Sequence, residues 1–268
     1  MKLNLVSNQH KPSNGKSIHS RFKNLSRTSR IRVKTHTLQL TEFWNEYANH
    51  FQHLNLSPVY QDLMNHVLAK TDVVQGMSCL DIGCGTGNYS IALNALGARV
   101  IGVDSSSRML ELARENVKKT GQNNTTAEIQ LIESDAFEFV KKLESNILDR
   151  VVANLSIAYM PHPKLILCEL HRALKPGGKL VMSNPIPNPN FTWVLIKSGT
   201  KAIRLFGRAL AILKCAKQIE KYNEDGVFYF FSFQEIEELL KASGFFPSSI
   251  VTARSFAGQA FVTVCSKP

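Results

Sequence analysis

The stretch at residues 77–107, MSCLDIGCGTGNYSIALNALGARVIGVDSSS, decides the fold of this chain. Residues 78–82 form a short apolar run with one acid, which is typical of a buried strand, and glycines follow at alternate positions. A helical pattern then runs over 88–96, and residues 99–104 have the pattern of a second strand. The sequence therefore predicts a βαβ unit with a glycine turn, which binds a ligand at the carboxyl ends of its strands.

The turn itself narrows the choice of ligand. The dinucleotide fingerprint G-x-G-x-x-G needs a third glycine where this chain has Asn88, so the phosphate cradle is incomplete. Asp81 would repel a pyrophosphate but could hold a cationic amine, directly or through water. Asp104 ends the second strand, where a carboxylate can accept hydrogen bonds from both ribose hydroxyls. The combination favours a zwitterionic, adenosine-bearing ligand, although Asp104 alone fits a nicotinamide dinucleotide equally well.

Four segments in order resemble the class I S-adenosylmethionine-dependent methyltransferases, particularly the group that acts on small molecules. They are LDIGCGTGNYS with VIGVDSSSRML, IESDAF (132–137), VVANLSIAYMPHP (151–163) and LHRALKPGGKLVMSNP (170–185). The resemblance covers about 41–185 and again 231–267. It implies S-adenosyl-L-methionine as cofactor and an α/β, Rossmann-like fold: a seven-stranded, mostly parallel sheet with one antiparallel strand and helices on both faces. The helix and hairpin patterns over 232–266 fit the antiparallel strand of such a sheet.

The resemblance, together with the strand ends, predicts a set of cofactor contacts. Asp104 would hold the ribose, Asp135 would accept from the adenine amino group, and Met109 would pack on adenine. Met109 fits an ordinary core position nearly as well, and Asp135 also fits the N-cap of a helix over 136–143. The predicted cofactor-binding residues are Tyr47, Asp81, Gly83, Cys84, Gly85, Gly87, Asp104, Ser105, Met109, Asp135, Ala136 and Asn154.

The residues that act on the methyl acceptor are less defined. Methyl transfer from a sulfonium is an in-line displacement, so the protein mainly aligns the acceptor and excludes water, and the chemistry requires no metal. Many small-molecule members carry His-Tyr where this chain has Ala158-Tyr159, and some carry His-Pro where it has Asn184-Pro185. Tyr159, His162 and Tyr47 are the candidate catalytic residues. Whether O, N, C or S is methylated stays open.

Residues 186–230 interleave aromatic and basic side chains. A segment that leaves the carboxyl end of the fifth strand emerges beside the ligand crevice, so we expect a helical cap that selects an apolar or aromatic acceptor. Trp193 and Tyr229 are its candidate contacts. The helical face at Ile203, Phe206, Leu210 and Leu213 supports a packed helix. The alternative is that this segment docks on a membrane surface.

The net charge of +11 is concentrated at the start of the chain, because nine basic residues precede the first acid, Glu42. We therefore expect residues 1–40 to be a basic, disordered extension and 41–268 to be the methyltransferase domain. A flexible extension, an organelle transit peptide and an electrostatic arm for anionic membrane or nucleic acid are the three interpretations. Five cysteines without a C-x-x-C pair argue against a zinc or disulfide framework and favour a reducing compartment. The expected location is cytoplasmic, or an organelle if the extension is a transit peptide.

The predicted partner is a small-molecule acceptor, without obligatory nucleic acid; weak membrane contact and the oligomeric state stay open. An RNA or protein methyltransferase, a non-catalytic S-adenosylmethionine-binding module and a nicotinamide oxidoreductase are the alternatives. The residues Asn154-Leu155-Ser156-Ile157 differ from the Asn-Pro-Pro-aromatic turn that flanks an amino-methylated base, which disfavours nucleic acid.

Overall fold

The computed structural model describes residues 40–51, 57–120, 128–198, 206–246 and 251–268. The expected basic extension at 1–40 lies outside these residues except for Leu40, and it stays a prediction. The strands of the described chain are β1 (Ser78–Ile82), β2 (Arg99–Asp104), β3 (Ile129–Glu133), β4 (Leu148–Asn154), β5 (Leu174–Pro185), β6 (Val251–Ser255) and β7 (Ala260–Ser266).

These strands form one sheet in the order β3-β2-β1-β4-β5-β7-β6. Neighbours from β3 to β5 are parallel, whereas β7 runs antiparallel to both β5 and β6. The predicted Rossmann-like sheet with one reversed strand is therefore confirmed. Strand order reverses between β1 and β4, and open α/β sheets bind ligands at the carboxyl ends of the strands at such a point.

Helices flank the sheet and lie over its carboxyl edge. They are α1 (40–51), α2 (Pro58–Ala69), α3 (Asn88–Ala95), α4 (Ser107–Lys119), α5 (Ala136–Val140), α6 (Pro163–Ala173), α7 (Phe191–Lys197), α8 (Phe206–Glu224) and α9 (Phe233–Lys241), with short 3₁₀ turns at Ile157–Tyr159 and Phe256–Gly258. No helix within the described ranges is long and apolar enough to cross a bilayer.

The sheet buries a separate apolar cluster on each face, because alternate strand residues point to opposite sides. Leu80 and Ile82 pack with the inward faces of α6 and α9. Cys79 packs on the other side with residues of α2 and α3. The central strands are thus covered on both faces, which is why residues 151–153 of β4 are all apolar.

A third cluster lies above the carboxyl edge and joins α1 to the segment that follows β5. It contains Tyr47, Met109, Ile219, Phe228 and Phe230 among its buried members. Residues 186–230 thus include helices, as predicted, and α8 packs against α1 rather than extending into solvent. Of the predicted apolar face, Ile203 and the side chains of Phe206 and Leu210 lie outside the described part of the chain.

Candidate active site

The glycine turn after β1 is tied to β2 by backbone hydrogen bonds. The amides of Gly83 and Cys84 donate to the Val103 carbonyl at 2.8 and 3.0 Å, and the Gly85 amide donates to Asp104 Oδ2 at 2.9 Å. Gly83 has φ +69°, and a Cβ added there would lie 2.6 Å from the Ser156 Cβ. Only glycine fits this position, because the turn passes so close to the loop after β4.

Asp104 lies half-buried at the carboxyl end of β2. Its Oδ1 accepts from the Ser106 amide at 2.9 Å, while Oδ2 accepts from Gly85. Burial raises the pKa of the Asp104 carboxyl above its usual range, and these two amides oppose that shift. Each oxygen keeps a further lone pair, so the carboxylate can still accept from a bound diol.

A cleft of about 880 Å³, including its open mouth, lies over the ends of β1, β2 and β4. The sequence-predicted residues in its wall are Tyr47, Gly83, Gly85, Asp104, Ser105, Met109, Asp135, Ala136, Asn154 and Tyr159. Met109 and Val103 make part of the wall apolar, whereas Asp104 and Asp135 provide carboxylates. The Asp135 side chain also caps α5 by accepting from the Glu138 amide at 3.0 Å, as the alternative interpretation of this residue predicted.

Asp81 and Cys84 do not reach the cleft wall. Asp81 is 1% exposed, and its Oδ2 accepts from the Ser90 hydroxyl at 2.7 Å beneath α3. Burial raises the pKa of Asp81 to about 7. Cys84 is buried near Gly102, where an added Cβ would lie 3.1 Å from its sulfur. Neither side chain is positioned in this structure to touch a ligand in the cleft.

Gly87 and His162 also lie away from the cleft wall. Gly87 has φ +81° at the start of α3, and a Cβ there would lie 3.1 Å from the Ala113 Cβ. The lack of a side chain at Gly87 therefore allows α3 to pack closely on α4. His162 precedes α6 with φ +57°, one residue beyond Pro161, which does line the cleft. The predicted catalytic role of His162 has no geometric support in this structure.

A second cavity of about 660 Å³ adjoins the cleft beneath α7 and α8. Five residues line both spaces: Trp44, Tyr47, Phe51, Leu155 and Tyr159. The remaining wall residues are Phe191, Val194, Leu213, Ala216, Ile219 and Phe256. The wall of this cavity therefore contains aromatic and aliphatic side chains, and its polar groups are the hydroxyls of two tyrosines and one indole N–H.

Tyr47 and Tyr159 lie in a packed aromatic group. The Tyr159 ring centroid lies 5.2 Å from that of Trp44 and 4.9 Å from that of Phe228. Burial raises the pKa of both tyrosine hydroxyls well above their usual range. Both phenols stay neutral near pH 7, so they can donate or accept a hydrogen bond but cannot supply a phenolate base.

The loop after β4 is held by a short chain of hydrogen bonds. The Ser183 hydroxyl donates to Asn154 Oδ1 at 2.6 Å and accepts from the Leu155 amide at 3.0 Å. Leu155 has φ +46° and lines both the cleft and the second cavity. Asn154 therefore lines the cleft and, through the Ser183 hydroxyl, helps to hold Leu155 between the cleft and the second cavity.

The structure locates the predicted acceptor contacts of the 186–230 segment elsewhere. Trp193 is 41% exposed on the outer side of α7, and Tyr229 stacks on Phe231 with centroids 6.1 Å apart. Neither residue lines the cleft or the second cavity. The sequence analysis did not predict Trp44 and Phe191 as wall residues, although both lie in segments rich in aromatic residues. The helical period alone could have found Phe191, since it lies opposite Trp193 on α7.

The chain matches the sequence model of a methyltransferase domain over residues 74–224, which is more than half of its length. It belongs to this methyltransferase family. Among curated proteins, a demethylmenaquinone methyltransferase of Staphylococcus haemolyticus is 32% identical over 201 residues, which cover 72% of this chain and 77% of that protein. The protein with the same name from Lactiplantibacillus plantarum is 28% identical over 228 residues, covering 75% and 90%.

Solved methyltransferase structures share the fold. A SAM-dependent methyltransferase from Aquifex aeolicus has a TM-score of 0.57 at 17% identity, covering 84% of this chain and 98% of its own. Phosphoethanolamine N-methyltransferase 2 of Haemonchus contortus, in complex with S-adenosyl-L-methionine, has a TM-score of 0.52 at 19% identity, covering 76% and 52%. The methyltransferase described here uses S-adenosylmethionine, as the family resemblance implied.

The cleft suits this cofactor on its own chemistry. Gly85 lies in the cleft wall, where an added Cβ would be in van der Waals contact with Phe51 and Met109, at 3.5 and 3.9 Å. The missing side chain therefore leaves room at the ligand side of the turn. Asp104 provides an acceptor for a diol, and Met109 with Val103 provides an apolar surface for a flat ring.

Proposed function

We propose that this methyltransferase transfers the methyl group to a small apolar aromatic acceptor of the quinol class. The observation that carries the proposal is the second cavity, because its wall is aromatic and aliphatic and five of its residues also line the cofactor cleft. The curated relatives are named for demethylmenaquinone, a quinone, which agrees with an acceptor of this kind.

The cofactor would lie in the cleft over β1, β2 and β4. Asp104 would accept from the ribose hydroxyls, Asp135 from the adenine amino group, and Met109 would pack against the adenine ring. The backbone at Gly83 and Gly85 would approach the amino acid part closely. When bound, the cofactor supplies a methyl group on a sulfonium, which is already an excellent leaving group.

The acceptor would lie in the second cavity and face the cleft. Trp44, Tyr47 and Tyr159 stand between the two spaces, so they would orient a flat ring and exclude water from it. The wall residues of this cavity include no carboxylate, histidine or lysine within the described chain. An uncharged flat acceptor such as a quinol is therefore favoured over a cationic amine, because the described wall has no charged group to offset the cost of burying an ammonium.

Labelled methyl transfer tests the proposal directly. The purified enzyme is incubated with isotopically labelled S-adenosylmethionine and either a reduced, unmethylated naphthoquinone with a short side chain or hydrophilic phosphoethanolamine. We expect label in the naphthoquinol and none in the amine. The Asp104→Ala variant serves as the matched control for background transfer. Label in the amine, with none in the quinol, would overturn the acceptor class while leaving the cofactor assignment intact.

A further inference from the structure

Helix α7 has apolar side chains on both its buried side and its exposed side. Phe191 and Val194 face the second cavity, and the Ser198 hydroxyl just beyond the helix lies 2.6 Å from that of Ser57. The opposite side presents Trp193 and Ile196, which are 41% and 62% exposed. Residues on the solvent face of a helix are ordinarily polar, so these two side chains need a separate explanation.

Basic groups accompany this exposed apolar pair. The Lys197 Nζ lies 4.7 Å above the centre of the Trp193 ring. On α8, Ala216 and Ile219 line the second cavity, while Lys214, Lys217 and Lys221 are exposed. A spacing of three and four residues puts these three lysines in one stripe, on the side of α8 away from the cavity. Both helices that cover the cavity therefore present outward groups of the same kind.

The charge of the domain is concentrated in this region. Residues 186–230 contain seven basic and three acidic residues, a net charge of +4. The rest of 41–268 contains 16 basic and 18 acidic residues, a net charge of −2. Lys201, Arg204 and Arg208 contribute three of these charges, but their side chains lie outside the described part of the chain. The described basic groups are four lysines, and the three acids lie at the C-terminal end of α8. Lysines beside an exposed tryptophan are complementary to an anionic surface.

We propose that the outer surface of α7 and α8, formed by Trp193, Ile196, Lys197, Lys214, Lys217 and Lys221, docks on an anionic lipid bilayer. Tryptophan prefers the membrane interface, and lysines near anionic lipid each contribute about 1 kcal/mol. Protein interfaces are depleted of lysine, which disfavours a protein as the occupant. Docking would place the helices that wall the second cavity next to the bilayer.

A consequence for catalysis rests on the proposed function: a lipid-dissolved acceptor would reach the cavity without crossing water. The docking itself does not depend on that function. The N-terminal segment, with nine basic residues, is a separate source of vesicle binding. The test therefore uses the full chain throughout, so that this segment is the same in every variant.

Vesicle sedimentation tests the surface. The wild-type chain should bind phosphatidylcholine vesicles that contain phosphatidylglycerol. The double variant Trp193→Ser with Ile196→Ser should bind them about tenfold more weakly, since two interfacial apolar groups are lost. The matched control is Val74→Ser with Leu96→Ser, two side chains that are 58% and 49% exposed before β1 and β2, at the amino ends of the strands.

The contribution of the lysines to vesicle binding is tested by a second variant and its control. Changing Lys214, Lys217 and Lys221 to Gln should reduce the preference for anionic over neutral vesicles by about tenfold or more. The same change at Lys70, Lys118 and Lys142, which are exposed outside the α7–α8 outer surface, should reduce it much less. Brominated lipid should quench Trp193 emission, and the emission left in Trp193→Phe, which comes from Trp44, should not be quenched.

The results distinguish a lipid bilayer from a second copy of the chain as the partner of the α7–α8 outer surface. Equal vesicle binding by the Trp193→Ser, Ile196→Ser variant and by its control would overturn the proposal in favour of the N-terminal segment. No binding by the wild type, with a dimer in solution that the same variant disrupts, would replace the bilayer by a second copy. These variants should leave turnover of the water-soluble naphthoquinol unchanged. Failure of that turnover in the wild type would therefore sink the acceptor class and not the docking surface.

Discussion

The cofactor cleft and the second cavity lie side by side but are built differently. The glycine turn in the wall of the cleft depends on backbone: its amides bind Val103 and Asp104, and all of these residues lie within 83–104. The second cavity depends on side chains from α1, the loop after β4, α7, α8 and the 3₁₀ turn before β7. A local turn therefore builds the part of the donor side that the Gly83 and Asp104 variants test, and long-range packing builds the acceptor side.

The difference predicts how each side responds to change. The glycine turn tolerates few substitutions, because an added Cβ at Gly83 clashes with the neighbouring loop. Loss of the Asp104 carboxylate removes a hydrogen-bond acceptor. An apolar wall tolerates exchanges that conserve volume, and each exchange alters the shape of the space. Substitutions on the donor side should weaken cofactor binding, and those on the acceptor side should change selectivity for the acceptor.

The largest effect should come from Gly83→Ala. Positive φ costs about 1 to 2 kcal/mol for alanine, and the 2.6 Å approach to Ser156 adds about 1 to 3 kcal/mol. Urea unfolding should show a loss of about 2 to 5 kcal/mol, and calorimetry should show weak or absent S-adenosylhomocysteine binding. Gly76→Ala is the matched control, since Gly76 has φ +86° with nothing within 4 Å of the added Cβ. Equal losses in the two variants would refute the steric argument.

Asp104→Ala should weaken S-adenosylhomocysteine binding by about 1.5 to 3 kcal/mol, the range of charge-assisted hydrogen bonds. The control is Glu133→Ala, because Glu133 is exposed and pairs in register with Asp104 on β3. Calorimetry should show near wild-type affinity for the control. Unchanged affinity in Asp104→Ala would remove the ribose assignment.

Ala216→Phe should fill part of the second cavity, whose wall includes Ala216. The acceptor KM should rise about tenfold, or about 1.4 kcal/mol, while S-adenosylhomocysteine affinity stays close to wild type. Ala242→Phe, at an exposed position after α9, is the control for the added ring. A parallel loss of donor affinity would mean that the two spaces are not separable.

Asp81 makes stability depend on pH. Its folded pKa of about 7 exceeds the unfolded value, so between about pH 4 and pH 7 the folded state binds more protons. The free energy of unfolding should therefore fall as pH rises, by at most about 1.4 kcal/mol per pH unit from this group. Asp81→Asn should flatten the slope measured by urea unfolding. Identical slopes in the two proteins would place the titration elsewhere, Asp104 being the next candidate.

The smallest effect should be that of Tyr159→Phe. A neutral hydroxyl that only orients the acceptor contributes about 0.5 to 1.5 kcal/mol. The turnover number should fall about tenfold at most, and the shape of its pH profile should not change. A lost ionisation in that profile would restore Tyr159 as a base.

Local chemistry is what the sequence predicts well. The glycine turn and the Asp135 cap act within a few residues of their partners, and Asp104 acts within one βαβ unit, so a short pattern contains the whole interaction. The end of α5 could not be predicted in this way, because it depends on a residue that is distant in the sequence. The helix was expected to reach residue 143 but ends at Val140, where Arg172 donates to the carbonyls of Val140 and Leu143 at 3.2 and 2.8 Å.

The acceptor side could not be predicted in the same way. The aromatic character of 41–51 and 186–230 was visible, but which rings face inward depends on how α1 and α8 meet. Trp193 and Tyr229 were the expected contacts, whereas Phe191 and Trp44 line the second cavity. The direction of Asp81 follows from strand alternation, since it shares the face of Cys79 and points beneath α3.

The position of β7 has a consequence for synthesis of the chain. Residues 260–266 pair with β5 on one side and β6 on the other, although β7 follows both in the sequence. During translation β6 cannot join the sheet, and β5 has a bare edge, until residue 266 has left the ribosome. An unpaired edge of apolar strand invites association with other chains. Slow passage through the codons for β7 should therefore prolong the interval in which the nascent protein depends on chaperones.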